Sequence, residues 1–367
     1  LFRSNQLKPK IMRNNTTENN LWSISFSYRL GLGFHALNNE GSDGSNLMQP
    51  RRIDVGKLTY DGISGEIIRH HILENFVNIC RKDNINMLPL SEGLHPDRGP
   101  LGIRHAAHSL DRETLSSTNL VECSRNAITN CAVLDIGGFL AAFEKNSPPN
   151  YIIESAYINN SCATLDNDNF PQPIKRESCF DVAWLISEEP QDYTVTQHSA
   201  YRDTASLNSR YAQAMRSNIY GGVIRADLHR IGIDDHWYLQ DNQGRLAIEP
   251  EEQQKRQLAL IEAIIGFIAS PTGAKVAAWA PHIFKVEGAI VLSKNRTAPF
   301  VSPISVAVND EQNPVKLNSG YLEDIKGLND PDEGTFTYDF SSSKELIGLI
   351  SKIETKLNNT KEEENKT

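Results

Sequence analysis

The chain has 367 residues, 39% of them hydrophobic, which is enough for one large domain or a domain with sizeable insertions. Its formal charge of −9, from 37 Lys and Arg against 46 Asp and Glu, excludes a protein coated in nucleic acid. A narrow basic groove on an acidic body remains compatible, because phosphate affinity depends on local contacts.

Residues 1–20 are polar and carry Arg3, Lys8, Lys10 and Arg13 without an apolar core, so they read as a flexible basic arm rather than a signal peptide. Leu21 to Leu37 alternates, with Trp22, Ile24, Phe26, Tyr28, Leu30, Leu32 and Phe34 on one face of a long strand. The pattern breaks at Asn38-Asn39-Glu40-Gly41, and a Gly/Ser/Asp loop through Ser45 leads to a basic segment. Next comes a helix start: Ser64 is a good N-cap, Gly65 leaves the first turn sterically open, and Glu66 suits the positive end of the dipole. Ile68, Ile72, Phe76, Ile79 and Cys80 then recur at helical spacing, with His70, His71, Glu74 and Asn78 on the opposite side. A helix start preceded by Arg51, Arg52 and Lys57 forms an anion seat.

Residues 81–125 show little periodicity and are punctuated by Pro89, Pro96, Gly99 and Pro100, which reads as an irregular insertion. Asn126 to Glu144 holds a short apolar segment and a Gly137-Gly138 turn, and 145–174 reads as a second, loop-rich insertion. Arg176 to Ser187 has strand composition, with Phe180, Val182 and Trp184 alternating. A polar excursion over 188–217 lies between this strand and the strand-like Ile219 to Ile231. Such an excursion predicts a protruding hairpin or lobe rather than core, here carrying His198, Arg202, Arg210, Met215 and Arg216. Glu249 to Ser270 is a helix, with Pro250 in its first turn and Leu258, Ile261, Ile264, Ile265 and Ile268 on its apolar face. His282 to Leu292 is a final core strand. Residues 304–354 are an extension ending in an amphipathic helix near Lys344 to Leu357, and 355–367 form a disordered charged tail.

Cys80, Cys123, Cys131, Cys162 and Cys179 include no CxxC pair, so despite His95, His105 and His108 nearby they read as reduced, buried thiols of a cytoplasmic protein. No metal, cofactor or membrane is expected, since no apolar run is long enough to span a bilayer. The fold class is α+β. Two widely separated helical crossovers between strands suit a split βαβ arrangement of the ferredoxin or RNA-recognition-motif type. That fold leaves one sheet face open, where RNA-binding members hold single strands.

Six pieces resemble one family in the same order. They are HALNNEG at His35 to Gly41, QPRRIDV at Gln49 to Val55, ISGEIIRHH at Ile63 to His71, CAVLDIGGFLA at Cys131 to Ala141, KRES at Lys175 to Ser178, and IYGGVIRADLHRIG at Ile219 to Gly232. Together they are similar to the DevR-type backbone subunit of CRISPR type I Cascade complexes, from about Ser23 to Pro303. The departures are Gly138, where the family often has a His–Gly turn, and a polar Asp181 in the later strand.

The resemblance implies an RNA-recognition-like palm over 21–303, a thumb over 188–217, and helical self-assembly along a guide RNA (crRNA) presented for pairing with target DNA. Its partners are then that RNA, the target strand, other copies of itself and other Cascade subunits. In that role Arg51 and Arg52 fork onto phosphates, and Ser64 and Gly65 offer helix-start amides with His70 at the same edge. Asn38, Asn39 and Gln49 flank the first loop. Lys175 and Arg176 enter beside the sheet. Met215 wedges against bases while Arg210 and Arg216 hold the backbone. No catalytic residue is expected. Two other functions are kept open: a metal-dependent ribonuclease using first-loop acids, Glu40 and Asp43, or a stand-alone regulator without RNA.

Overall fold

The computed structural model describes residues 21–36, 39–42, 47–144, 161–190, 194–200, 209–239, 244–271, 280–294, 296–307 and 309–358; at 39–42, 47–50, 194–200, 209–213 and 358 it describes the backbone alone. The basic arm, Asn38 and the end of the charged tail lie outside these residues.

The first strand, β1 (Ser23–His35), is the centre of the molecule. Ile24, Phe26, Tyr28, Leu30 and Leu32 are fully buried, as the alternation predicts. The two ends depart from it. Trp22 is exposed and stacks on His229 at 3.8 Å. The register shifts between Leu32 and His35, Phe34 takes a positive φ of 52°, and its ring turns outward while His35 enters the core.

Two short strands follow, β2 (Asn39–Ser42) and β3 (Leu47–Pro50), and then the hairpin of β4 (Arg52–Val55) and β5 (Leu58–Ile63). Helix α1 (Gly65–Asp83) starts directly after β5. Residues 81–125, expected to be irregular, are largely helical: α2 (Pro89–Glu92), α3 (Arg98–Ser109), the short strand β6 (Thr114–Leu115), and α4 (Leu120–Asn130). Pro89 and Pro100 fall in first turns, where the missing N–H costs nothing. Helix α5 (Ala132–Gly137) leads into β7 (Phe139–Ala141), and β8 (Thr164–Leu165) and β9 (Ile174–Arg176) pair with β6 and β7 respectively.

The second half contains β10 (Phe180–Val182), β11 (Leu185–Pro190), β12 (Thr194–Ala200) and the long β13 (Ser209–Ala226). Helix α6 (Pro250–Ala269) and strand β14 (His282–Ser293) sit within a residue or so of their expected limits. The extension adds β15 (Ile304–Val306), β16 (Val315–Leu317), α7 (Tyr321–Lys326), β17 (Thr335–Phe340) and α8 (Ser343–Asn358).

The main path of the sheet runs β17–β14–β1–β13–β11–β5–β4. With α1 between β1 and β11, and α6 between β13 and β14, the central four strands form a β-α-β-β-α-β unit in spatial order fourth, first, third, second. All its ladders are antiparallel. One sheet face is covered by α1 and α6, whose Ile68, Ile72, Phe76, Ile264 and Ile268 share a core with the apolar side of β1.

The other face, expected to be open, is covered as well. Ser23, Ser25, Ser27 and Arg29 of β1 are buried by the segment after β14. The Ser25 hydroxyl donates to the carbonyl of Pro299 at 2.7 Å, and Arg29 donates to the carbonyls of Pro303 and Asn318 and lies 4.5 Å over the Tyr321 ring. Two further apolar clusters seal this layer, one around Ala289, Val291 and Tyr321, the other around Val55, Tyr60, Ile304 and Val315. A Cβ on Gly221 would come within 2.5 Å of Ile304, so the extension sits on backbone there. Along β1, this face of the sheet is therefore closed to solvent.

Candidate nucleic-acid interface

At one rim, β4, β5, the β10–β11 link and the first turn of α1 converge. The Ser64 hydroxyl caps α1 by accepting from the Ile67 amide at 3.3 Å, and its carbonyl accepts from Ile68 at 3.2 Å. Gly65 is required on packing grounds: a Cβ there would lie 2.5 Å from the Val182 carbonyl oxygen. That contact holds the helix start against the β10–β11 link. Arg51 and Arg52 are exposed at the outer edge, with the Arg51 carbonyl accepting from the Gly62 amide at 3.3 Å. The Arg51 guanidinium lies 5.6 Å over the ring of Trp184, which is itself exposed.

Farther along α1, His70 is exposed and His71 is buried, where the helical pattern had put both on the polar side. Glu74 bridges them: its carboxylate oxygens lie 3.3 Å from His70 Nε2 and 2.6 Å from His71 Nδ1. Two imidazoles and a carboxylate with donor atoms within 4.8 Å of one another are the group among the described residues able to hold a metal ion. In the present arrangement the carboxylate is hydrogen-bonded to His71 and lies within ion-pairing distance of His70.

The polar excursion is a β-hairpin. β12 pairs antiparallel with the outer part of β13, from Thr194 opposite Met215 to Ala200 opposite Ser209. β3 adds parallel to the other side of the same stretch, at Ala212 and Gln213, and β2 pairs with β3. Asn39 and Gln49, in β2 and β3, thus have their backbones beside the hairpin, continuous in chain with Arg51. The side chain of Arg210 lies outside the described residues, as do Asn38 and Asp43, and Glu40 is placed by backbone alone. Met215 is half-buried at the hairpin's root.

Two arginines assigned to RNA occupy the interior instead. Arg216 is 3% exposed, opposite His35 in the β1–β13 register, and is ion-paired with Asp61 of β5. Asp61 also accepts from the Tyr220 hydroxyl, which lies 2.7 Å from His35 Nε2, and the Asp61 amide donates to Ser187 Oγ at 3.0 Å. This five-residue network locks the hairpin's root to the sheet. Burial, with the Arg216 charge adding to it, pushes the His35 pKa down to about 3, so the ring is neutral at ordinary pH.

Arg176 is likewise 3% exposed. It ion-pairs with Asp135 of α5, lies 3.2 Å from Asp235, and donates to the carbonyls of Ile233 and Arg230 at 2.6 and 3.0 Å. Asp135 also takes Arg256 of α6 at 3.0 Å and the Gly232 amide at 2.9 Å. A carboxylate between two guanidiniums ties α5, β9, α6 and the turn after β13 together. Reaching a phosphate would strip Arg176 from this site, so its role is structural. Lys175, its neighbour on β9, is exposed and pairs with Glu177 at 2.7 Å.

The structure therefore brings Arg51, Arg52, Ser64 and Gly65 to one rim and places Asn39 and Gln49 next to it. It removes Arg176 and Arg216 to the core. Sequence reasoning missed Trp184 as a surface residue by reading it into the Phe180–Val182 alternation. The strand actually breaks at Ala183–Trp184, between β10 and β11.

The fold defines a class of protein with a helix-backed antiparallel sheet, an exposed arginine pair at one rim and a β-hairpin carried on a core strand. Residues 26–313 match the family described as CRISPR-associated negative auto-regulator DevR/Csa2. The chain belongs to that family. Two solved chains are similar at 10% identity. One, titled CRISPR RNA-guided surveillance complex, covers 91% of this chain and 98% of its own at a TM-score of 0.39. The other, titled CRISPR RNA-guided surveillance complex, pre-nicking, covers 73% and 78% at 0.38. No curated protein matches the chain. Among the described residues, no helix is long and apolar enough to cross a membrane.

Proposed function

We propose that this chain is a non-catalytic, multi-copy backbone subunit of a cytoplasmic CRISPR type I Cascade complex. It binds guide RNA by its phosphates, oligomerises along it beside other Cascade subunits, and presents it for pairing with target DNA. The palm in this reading is ferredoxin-like, of the RNA-recognition-motif type; the fourth–first–third–second strand order supports it. Residues 188–217 act as the thumb, supported by the β12–β13 hairpin.

The observation that carries the proposal is the rim where Arg51 and Arg52 stand exposed beside the α1 start and the hairpin root. A subunit that accepts any spacer sequence needs sequence-independent phosphate contacts, and paired guanidiniums supply them. The buried Asp61–Arg216 pair fixes the hairpin's direction relative to that rim. Reversing both charges, Arg51→Glu with Arg52→Glu, is expected to weaken guide-RNA binding and filament growth while the melting temperature stays within a few degrees. Unchanged assembly on guide RNA would contradict the proposal. Incubation of the assembled complex with complementary RNA and magnesium is expected to leave the RNA intact; specific cleavage abolished by Asp43→Ala would replace the scaffold reading with an enzyme.

A further inference from the structure

We propose that Trp184 is a nucleobase-stacking platform, uncovered when Arg51 leaves its ring for a phosphate; this deepens the guide-RNA reading and rests on it. Trp184 is 38% exposed although the next residue, Leu185, is fully buried and both neighbouring strands are packed. Leaving so much aromatic surface in water forgoes burial that the fold elsewhere achieves. The indole is nevertheless held in place. A Cβ on Gly62 would lie 3.2 Å from its Cε3 atom, so the ring rests on the β5 backbone, and Gly65 against Val182 anchors the link that carries it. Its cover is the Arg51 guanidinium, 5.6 Å from the ring centre, on an exposed side chain at the edge of β4.

A guanidinium over an indole occupies the position a base takes when it stacks. Arg51 is also close to Arg52 and the α1 start, where the sugar-phosphate chain is expected. Moving the guanidinium to a phosphate exchanges a cation–π contact for a charge-assisted, forked one and vacates the ring for the attached base. Every base has a π-face, so the platform adds affinity without reading sequence. Phe180 and Val182 precede Trp184 in chain, yet Phe180 is buried. Among these three, Trp184 alone offers an aromatic surface to a ligand.

The test uses the full chain, a mixed-sequence single-stranded oligoribonucleotide, and an abasic ribose-phosphate oligomer of equal length. Trp184→Ala is expected to weaken binding of the base-bearing RNA about tenfold and to leave the abasic oligomer's affinity unchanged. The parent chain should show RNA-induced quenching of tryptophan emission, and Trp184→Phe should keep most of the affinity but lose that quenching. Equal loss on both oligomers, or no loss on either, overturns the platform while leaving phosphate binding intact. If Trp184→Ala does not fold, quenching decides: equal quenching in the parent and in Trp184→Phe overturns it. Failure of the parent chain to bind either oligomer overturns the guide-RNA reading itself.

Discussion

Arg176→Gln separates a guanidinium that holds the fold from one that holds RNA. In the structure Arg176 is paired with Asp135, makes further contacts to Asp235 and to the Ile233 and Arg230 carbonyls, and is all but inaccessible. Removing it leaves Asp135 with Arg256 and the Gly232 amide, so the carboxylate remains partly compensated, while the carbonyls of Asp135, Ile233 and Arg230 lose a donor. Breaking a buried pair by deleting one partner costs about 3–5 kcal/mol. The retained Arg256 contact argues for the lower part of that range. At roughly 2–4 °C per kcal/mol for a domain of 150–250 residues, and less for a longer chain, the expected fall in melting temperature is about 5–10 °C. The assay is thermal melting followed by circular dichroism, paired with salt-titrated RNA binding of the folded protein. Affinity and salt slope should match the parent chain. A variant that melts like the parent yet loses RNA binding and salt dependence would refute the structural role and return Arg176 to the interface.

Further outcomes follow from the rim, the hairpin and the buried histidine. Each phosphate neutralised on a single strand contributes about 0.7 to the slope of log affinity against log salt; Arg51→Glu with Arg52→Glu should therefore lower that slope by roughly 1.4, and an unchanged slope would place both charges off the RNA. Replacing residues 191–213 by a short turn spares Arg216 and its Asp61 partner, so the palm should stay folded while assembly on RNA fails; insoluble protein would mean that the hairpin is part of the core. His35 has a folded pKa near 3 against an unfolded value of 6.5. The unfolded chain therefore binds the extra proton, and stability falls as pH drops below about 6.5, by up to ~1.4 kcal/mol per pH unit. His35→Gln should flatten that part of the denaturation profile, and equal slopes in both proteins would contradict the assignment. Gly65→Ala should shift the α1 start away from Val182 and weaken RNA binding more than Gly244→Ala, which meets nothing within 4 Å.

What the sequence revealed follows from how local each signal is. The alternation along Leu21 to Leu32 and the 3.6-residue periodicities of α1 and α6 depend on residues a few positions apart, and the structure reproduces them. The helices within 81–125 were hidden because Gly99, Gly102 and two prolines mask the pattern. Gly102 is small for a reason only packing shows: a Cβ there would meet Leu134 at 2.6 Å. The burial of Arg176 and Arg216 is equally illegible, because their carboxylates lie 41 and 155 positions away in the chain. The same limit applies to the covered sheet face. The seryl and arginyl side of β1 looks like a wet surface until the segment after β14, some 270 residues later, supplies carbonyl acceptors. The basic loop before α1 was readable because Arg51, Arg52, Ser64 and Gly65 lie close in sequence, whereas Trp184 joins them through the fold.

The most direct test is the content of the particle itself. The protein is purified from cells carrying its CRISPR array, its absorbance is compared at nucleic-acid and protein wavelengths, and the extracted RNA is sized. RNA of uniform length in stoichiometric amount is the expected result; particles free of RNA, or carrying fragments of random length, would contradict the account.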